Sequence, residues 1–331
     1  MQFTDEWRRW VAENIMLEGH PDGLIHVLMQ AGFSPEEARH ELEAALRSPY
    51  VQGAKRLQSR LKKRDWVIDI QRKLNRLRPA EIPRKHRLSR AEFLRDYYSA
   101  NLPVIITGMM DDWPAMQKWN LYYFKATLGD REVEVQRGRS QDANYEANSL
   151  AHKQTMNFGA YVDLVEGAGR SNDFYMTANN DSRNRNALRE LWDDIVQLPK
   201  YLRPDAGQRG FLWFGPAGTL TPFHHDLTNN FMAQVMGRKR LRLMPACEVA
   251  HVYNERHCFS QVDGAQIDLE RFPQMADAQV LECTLAPGEI LFLPVGCWHF
   301  VEALDVSVTV TFTNFLWDND FYSNYPKDHN F

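Results

Sequence analysis

Val306-Ser-Val-Thr-Val-Thr-Phe-Thr313 alternates strictly for eight residues. A period of two is the mark of a strand with two unlike faces, and β-branched and aromatic residues suit it. Upstream, Pro287-Gly288 forms a tight turn that delivers Glu289-Ile-Leu-Phe-Leu-Pro294. Comparable short runs recur at Leu102–Gly108, Glu132–Gln136, Phe211–Phe214, Phe231–Val235, Leu241–Met244 and Val280–Leu285. Short strands punctuated by Gly and Pro, with few helices between them, predict an all-β sandwich or barrel. The expected fold class is mainly β: a double-stranded β-helix of jelly-roll type carrying an N-terminal helical bundle.

Within this strand-rich region lies Thr219-Leu-Thr-Pro-Phe-His224-His225-Asp226. Residues two apart on an extended strand project to one face, so the His224 imidazole and the Asp226 carboxylate can grip one ion. The strand ending at Pro294 leads into Trp298-His299, and a barrel can bring His299 opposite that pair. Two histidines and one carboxylate on one side of a metal leave open positions for substrate, the arrangement of non-haem Fe(II) oxygenases. His225, between two ligands, should point away from them. His251 and His257 lack metal spacing, and Cys297 reads as packing.

Composition sets the outer limits. At 331 residues, 44% hydrophobic and 12% aromatic, the chain holds a large core plus a smaller domain. The boundary is expected near Pro79 and Pro83, giving a helical domain at 1–80 and a β domain at 81–331. A net charge of −4 argues against coating nucleic acid by bulk charge. No apolar run approaches the ~20 residues of a membrane span, and no membrane association is expected. The start has neither the basic nor the apolar segment of a signal peptide. Cys247, Cys258, Cys283 and Cys297 form no CxxC pair, which suits reduced thiols and a cytoplasmic location.

The first domain reads as helices. Thr4 caps a run with Trp7, Trp10, Val11 and Ile15 at helical spacing, and Ser34-Pro35-Glu36-Glu37 is a capping box. A third helical stretch covers roughly Gln52 to Leu77. Residues 55–90 carry fourteen Lys/Arg against three acids, a net +11 by subtraction, whereas residues 1–54 carry nine acids against four bases. The bland reading is a solvated helix face that pairs with the acidic helices; the other is a docking surface for RNA or an acidic partner.

These stretches together resemble the JmjC (cupin-like) family of Fe(II)- and 2-oxoglutarate-dependent oxygenases. The resemblance runs from about Pro83 to Trp317 and is closest in wording to the family's arginyl and asparaginyl hydroxylases. It rests on Pro103-Val-Ile-Ile-Thr-Gly, Asp112-Trp-Pro-Ala-Met-Gln-Lys-Trp, Trp213-Phe-Gly-Pro, Asn230 through Lys239, Ser260-Gln-Val-Asp, Ala286 through Pro294 and Trp298-His299. It implies a dioxygenase that consumes O2 and 2-oxoglutarate to hydroxylate an unactivated C–H bond, with a protein or peptide as the main substrate class. His224, Asp226 and His299 would be its iron ligands. Lys239 would bind the distal carboxylate of 2-oxoglutarate, helped by the hydroxyls of Thr221 and Tyr175, and Asn230 would lie near its iron-binding end. Asn314 resembles a co-substrate asparagine, yet alternation puts Thr309, Thr311 and Thr313 on the opposite face, so Thr311, Thr313 and Asn314 stay open as the inward residue. Trp213 would wall the substrate site. The position where the arginyl hydroxylases present an acid is Gln136 here, with Glu134 nearby, a departure that weakens an arginine substrate. N-methyl-lysine or N-methyl-arginine demethylation, tRNA-base hydroxylation and a non-catalytic metal-binding cupin module are the alternatives. A homodimer through the N-terminal helices is a further expectation.

Overall fold

The computed structural model describes residues 2–178, 183–204 and 210–326. The chain divides into two units, Met1–Leu77 and Arg78–Phe331.

The first unit contains helices α1 (Asp5–Met16), α2 (Pro21–Gln30), α3 (Pro35–Arg47) and α4 (Pro49–Asn75). The Thr4 hydroxyl accepts from the Trp7 N–H at 3.4 Å, and Ser34 and Glu37 close a reciprocal capping box behind Pro35. Gly32, at φ 100°, takes the left-handed turn that ends α2, a conformation glycine adopts without steric penalty. Val11, Ile15, Leu24, Leu28, Phe33, Ala38, Leu42 and Val51 form the core. Helix α4 starts three residues before the expected Gln52, because Pro49 can occupy a first helical position. Its basic face is exposed, with Lys62 paired to Glu18 and Asp69 holding Arg72 at 2.6 Å and Lys73 at 2.7 Å.

The second unit is built on strands β1 (Arg84–His86), β2 (Val104–Thr107), β3 (Glu132–Arg137), β4 (Lys153–Asn157), β5 (Phe174–Tyr175), β6 (Phe211–Gly215), β7 (Leu220–His225) and β8 (Asn230–Met236). They continue as β9 (Lys239–Met244), β10 (Asn254–Arg256), β11 (Phe259–Ser260), β12 (Leu281–Leu285), β13 (Glu289–Leu293), β14 (Trp298–Ala303) and β15 (Ser307–Phe312). One six-stranded sheet runs β1-β2-β13-β8-β15-β6 and the other β10-β11-β7-β14-β9-β12. Two facing sheets whose consecutive strands alternate between them are the expected double-stranded β-helix. Leu241, Leu243, Leu291, Leu293, Met232 and Val301 pack between the sheets. Phe223, Trp298 and Phe300 cover the outer side of the second sheet, and a larger aromatic cluster around Phe93, Phe231 and Phe292 backs the first.

One part departs from expectation. Between β2 and β6 the chain inserts a third sheet, β4-β3-β5, with helices α5 (Leu121–Leu128) and α6 (Phe158–Gly167). Asn120 and Asn157 cap these helices, each side chain accepting a backbone N–H three residues on. Phe124, Phe158 and Tyr161 bury themselves against Phe214 of β6. That packing holds β5, and with it Tyr175, over the barrel.

Candidate metal and co-substrate site

β14 pairs antiparallel with β7 so that His299 lies opposite His224. The two rings stand 4.1 Å apart between centroids, and Nε2 of His224 lies 3.7 Å from Oδ1 of Asp226. Ligand atoms of His224, Asp226 and His299 all fall within 4.8 Å of one another. Each histidine is also set for a metal from behind. Nδ1 of His224 meets the Pro222 carbonyl at 2.8 Å, and Nδ1 of His299 meets the Cys297 carbonyl at 3.0 Å. A carbonyl can only accept, so both Nδ1 atoms carry the proton and both Nε2 lone pairs are free to coordinate. Burial, reinforced by the adjacent His224, holds His299 well below the usual imidazole range, which keeps it neutral. Asn230 donates to Oδ2 of Asp226 at 3.2 Å, leaving Oδ1 toward the histidines. His225 points the other way, as expected, onto Trp298 and the Tyr325 hydroxyl.

A register shift between His299 and Val301 matters for what lies beside the triad. Beyond it Thr221, not Pro222, stands opposite Val301. Val301 belongs to the inner barrel cluster, so the bulge turns Thr221 inward although it is three residues from His224. On the neighbouring strand β9, Lys239, Leu241 and Leu243 face inward while their partners do not. Arg238 pairs with Asp305 at 2.8 Å, Arg240 with Glu302 at 2.6 Å and Arg242 with Glu282 at 2.8 Å. Lys239 differs. Only 2% exposed, its ammonium donates to the Tyr175 hydroxyl at 3.0 Å and meets no carboxylate among the described residues. Burial alone pulls its pKa down to about 7 and pushes the Tyr175 phenol up. A buried ammonium without a counter-ion is costly. A dianionic ligand would supply the missing charge.

The remaining candidates separate into those brought to this face and one that is not. Trp213 lies 5.8 Å from the Tyr175 ring and donates from Nε1 to the Thr311 hydroxyl at 3.1 Å. Thr309 donates to Gln234 at 2.7 Å, so the last strand presents Thr309 and Thr311 to the barrel. Gln136 stands directly opposite Tyr175 in the β3–β5 pair and shares its face. The placement expected for Asn314 needs correction. β15 ends at Phe312, its register shift falls at Val308/Thr309 rather than near the end, and Asn314 donates to the Arg203 carbonyl at 2.9 Å. It lines a separate cavity of about 200 Å³ with Trp192, Leu198 and Phe312. Glu134, the alternative acid, is taken by Lys153 at 3.2 Å and Arg183 at 3.6 Å.

Sequence reasoning missed Arg139. This fully buried guanidinium donates to the Leu220 carbonyl at 2.7 Å and stacks over Tyr145 and, at 5.2 Å, over Tyr175. An arginine just beyond a glycine carries no pattern that would have announced it.

With this geometry in place, the comparisons are informative. Residues 90–323 match the cupin-like domain family. The chain is 35% identical over 246 residues to "Lysine-specific demethylase JMJ30" of Arabidopsis thaliana, covering 72% of this chain and 55% of that protein. It is 33% identical over 241 residues to "Lysine-specific demethylase 8" of Xenopus tropicalis, covering 70% and 52%. It is 26% identical over 266 residues to the human "Bifunctional peptidase and (3S)-lysyl hydroxylase JMJD7", covering 70% and 82%. The chain thus spans about half the length of the first two relatives.

Proposed function

The chain belongs to the cupin-like JmjC family, and from that premise we propose that it is an Fe(II)- and 2-oxoglutarate-dependent oxygenase that hydroxylates an unactivated C–H bond on an amino-acid side chain of a protein or peptide. One observation carries the reading: a buried ammonium without a carboxylate partner among the described residues shares a barrel with three metal-ligand side chains whose donor atoms lie within 4.8 Å of one another. A structural metal site has no use for such a charge. Iron and 2-oxoglutarate, when bound, supply the oxidising power drawn from O2.

The protein's own residues do the rest. His224, Asp226 and His299 hold the metal on one side and leave the other open. Asn230 fixes the carboxylate's orientation. Lys239, Tyr175 and Thr221 receive the distal carboxylate, the lysine as a point charge and the hydroxyls as hydrogen-bond partners. The apolar lining between the sheets excludes water. Trp213 and Gln136 bound the space left for the target side chain.

The names of the plant and frog relatives favour a second reading, removal of an N-methyl group by the same hydroxylation. A third proposal, RNA as substrate, draws on the exposed basic α4 and predicts strongly salt-dependent binding. The test is to incubate the protein with Fe(II), ascorbate and 2-oxoglutarate and to measure succinate, with Lys239→Ala as the control. Succinate from the wild type and its loss in the variant support the oxygenase. A wild type that neither binds nor turns over 2-oxoglutarate points to a binding module instead. With candidate peptides added, a gain of one oxygen atom marks hydroxylation, and release of formaldehyde marks demethylation.

A further inference from the structure

We propose that the side chain this site oxidises is an uncharged carboxamide, of asparagine or glutamine type, selected by Gln136 with Arg139, and not a lysyl or arginyl side chain. The inference rests on the oxygenase reading above and specifies its substrate class. Gln136 is 2% exposed, on the face of β3 that carries Tyr175 toward Lys239. Its amide nitrogen reaches only the Thr177 hydroxyl at 3.5 Å, and its carbonyl oxygen meets no partner. Turning the amide over would merely leave the other end unmet. Buried polar groups are almost always paired, so this one points to a ligand.

Arg139 flanks the same Tyr175 ring, and its Nε and Nη1 likewise lack acceptors. An unmet acceptor beside unmet donors is the complement of a carboxamide, whose N–H₂ would donate to Gln136 and whose oxygen would accept from Arg139. Charge points the same way. The carboxylates on the surrounding elements already face cations: Glu134 faces Lys153 and Arg183, and Glu146 lies 3.5 Å from Arg139. A lysyl or arginyl side chain would find cations and no free acid. A carboxylate would gain Arg139 but press its charge on the Gln136 oxygen.

The experiment uses the full chain with Fe(II), ascorbate and 2-oxoglutarate. Peptide pools with randomised flanks carry a fixed central Asn, Gln, Asp, Glu, Lys or Arg. Hydroxylation is read by mass spectrometry and uncoupled succinate is measured without peptide. The expected result is oxygen incorporated in the Asn or Gln pool, with a preference over Lys and Arg of the order of a hundredfold or more, the range reached when rejection leaves buried groups unpaired. In Gln136→Glu the ratio of Lys and Arg to amide turnover should rise by a similar factor. Because the readout is a ratio, a partly disabled variant still reports. Turnover of the charged pools above the amide pools, or of no pool despite uncoupled succinate, overturns the proposal while the oxygenase reading stands. Absence of succinate in any condition removes both.

Discussion

The helical unit and the barrel treat their polar groups in opposite ways. In Met1–Leu77 the capping residues Thr4 and Ser34 satisfy helix ends at the surface, and Asp69 and Glu18 meet their cations in solvent. In the barrel, Lys239, His299, Gln136 and Arg139 are buried, and several of their polar atoms have no partner. Local propensity, capping and burial agree throughout the first region. In the second, four rules of stable burial are broken within one neighbourhood. Such violations concentrate where function demands them, so the contrast locates the site without reference to any relative.

The contrast breaks most severely if the metal ligands prove dispensable. Asp226→Ala should abolish metal-dependent turnover, a loss beyond the roughly 10–100-fold that removing a ligand's outer partner costs. That outer partner supplies the next test: Asn230→Ala should weaken metal binding within that 10–100-fold range, measured by competition with a chelator.

Lys239→Met sharpens the comparison because it separates function from stability. Loss of a charge-assisted contact should weaken 2-oxoglutarate binding by roughly ten- to a hundredfold. The protein without ligands should melt no lower at neutral pH, since an unpaired buried charge has been removed. Lys239 also predicts a pH dependence. Burial lowers its pKa to about 7 from 10.5, so between those values the unfolded chain holds a proton that the folded one has lost. Stability of the unliganded protein therefore rises across that window, and below it the full burial cost remains. Binding a dianion restores the charge. Affinity for 2-oxoglutarate should fall about tenfold per pH unit above 7, with proton uptake visible by calorimetry in buffers of different ionisation enthalpy.

The smallest effect belongs to the other region. Ser34→Ala should cost the helical unit about 1 kcal/mol, read as a lower melting midpoint, and leave turnover unchanged.

What could be read in advance follows the same division. The helices at Thr4 and Ser34 were legible because caps and periodicity are local. The triad was legible because residue type and alternation suffice to put His224 and Asp226 together. Lys239 was not separable by pattern from Arg238 and Arg240; only strand pairing shows it turned inward while its neighbours reach Asp305 and Glu302. Asn314 was misplaced because alternation through Thr313 does not reveal that the strand stops at Phe312. Helices α5 and α6 escaped notice because they are short and apolar on more than one face, which erases the helical period. Arg139 and the thinly partnered amide of Gln136 depend on three-dimensional neighbours, and no spacing encodes them.

The account turns on whether the three ligands and the buried ammonium form a single site for a metal and a 2-oxo acid. Anaerobic addition of Fe(II) and 2-oxoglutarate tests this through the visible charge-transfer absorption of the chelated pair. The band should appear with the wild type, vanish in Asp226→Ala, and require far higher 2-oxoglutarate in Lys239→Met. A wild type without the band, or one whose band is indifferent to both substitutions, would contradict the account.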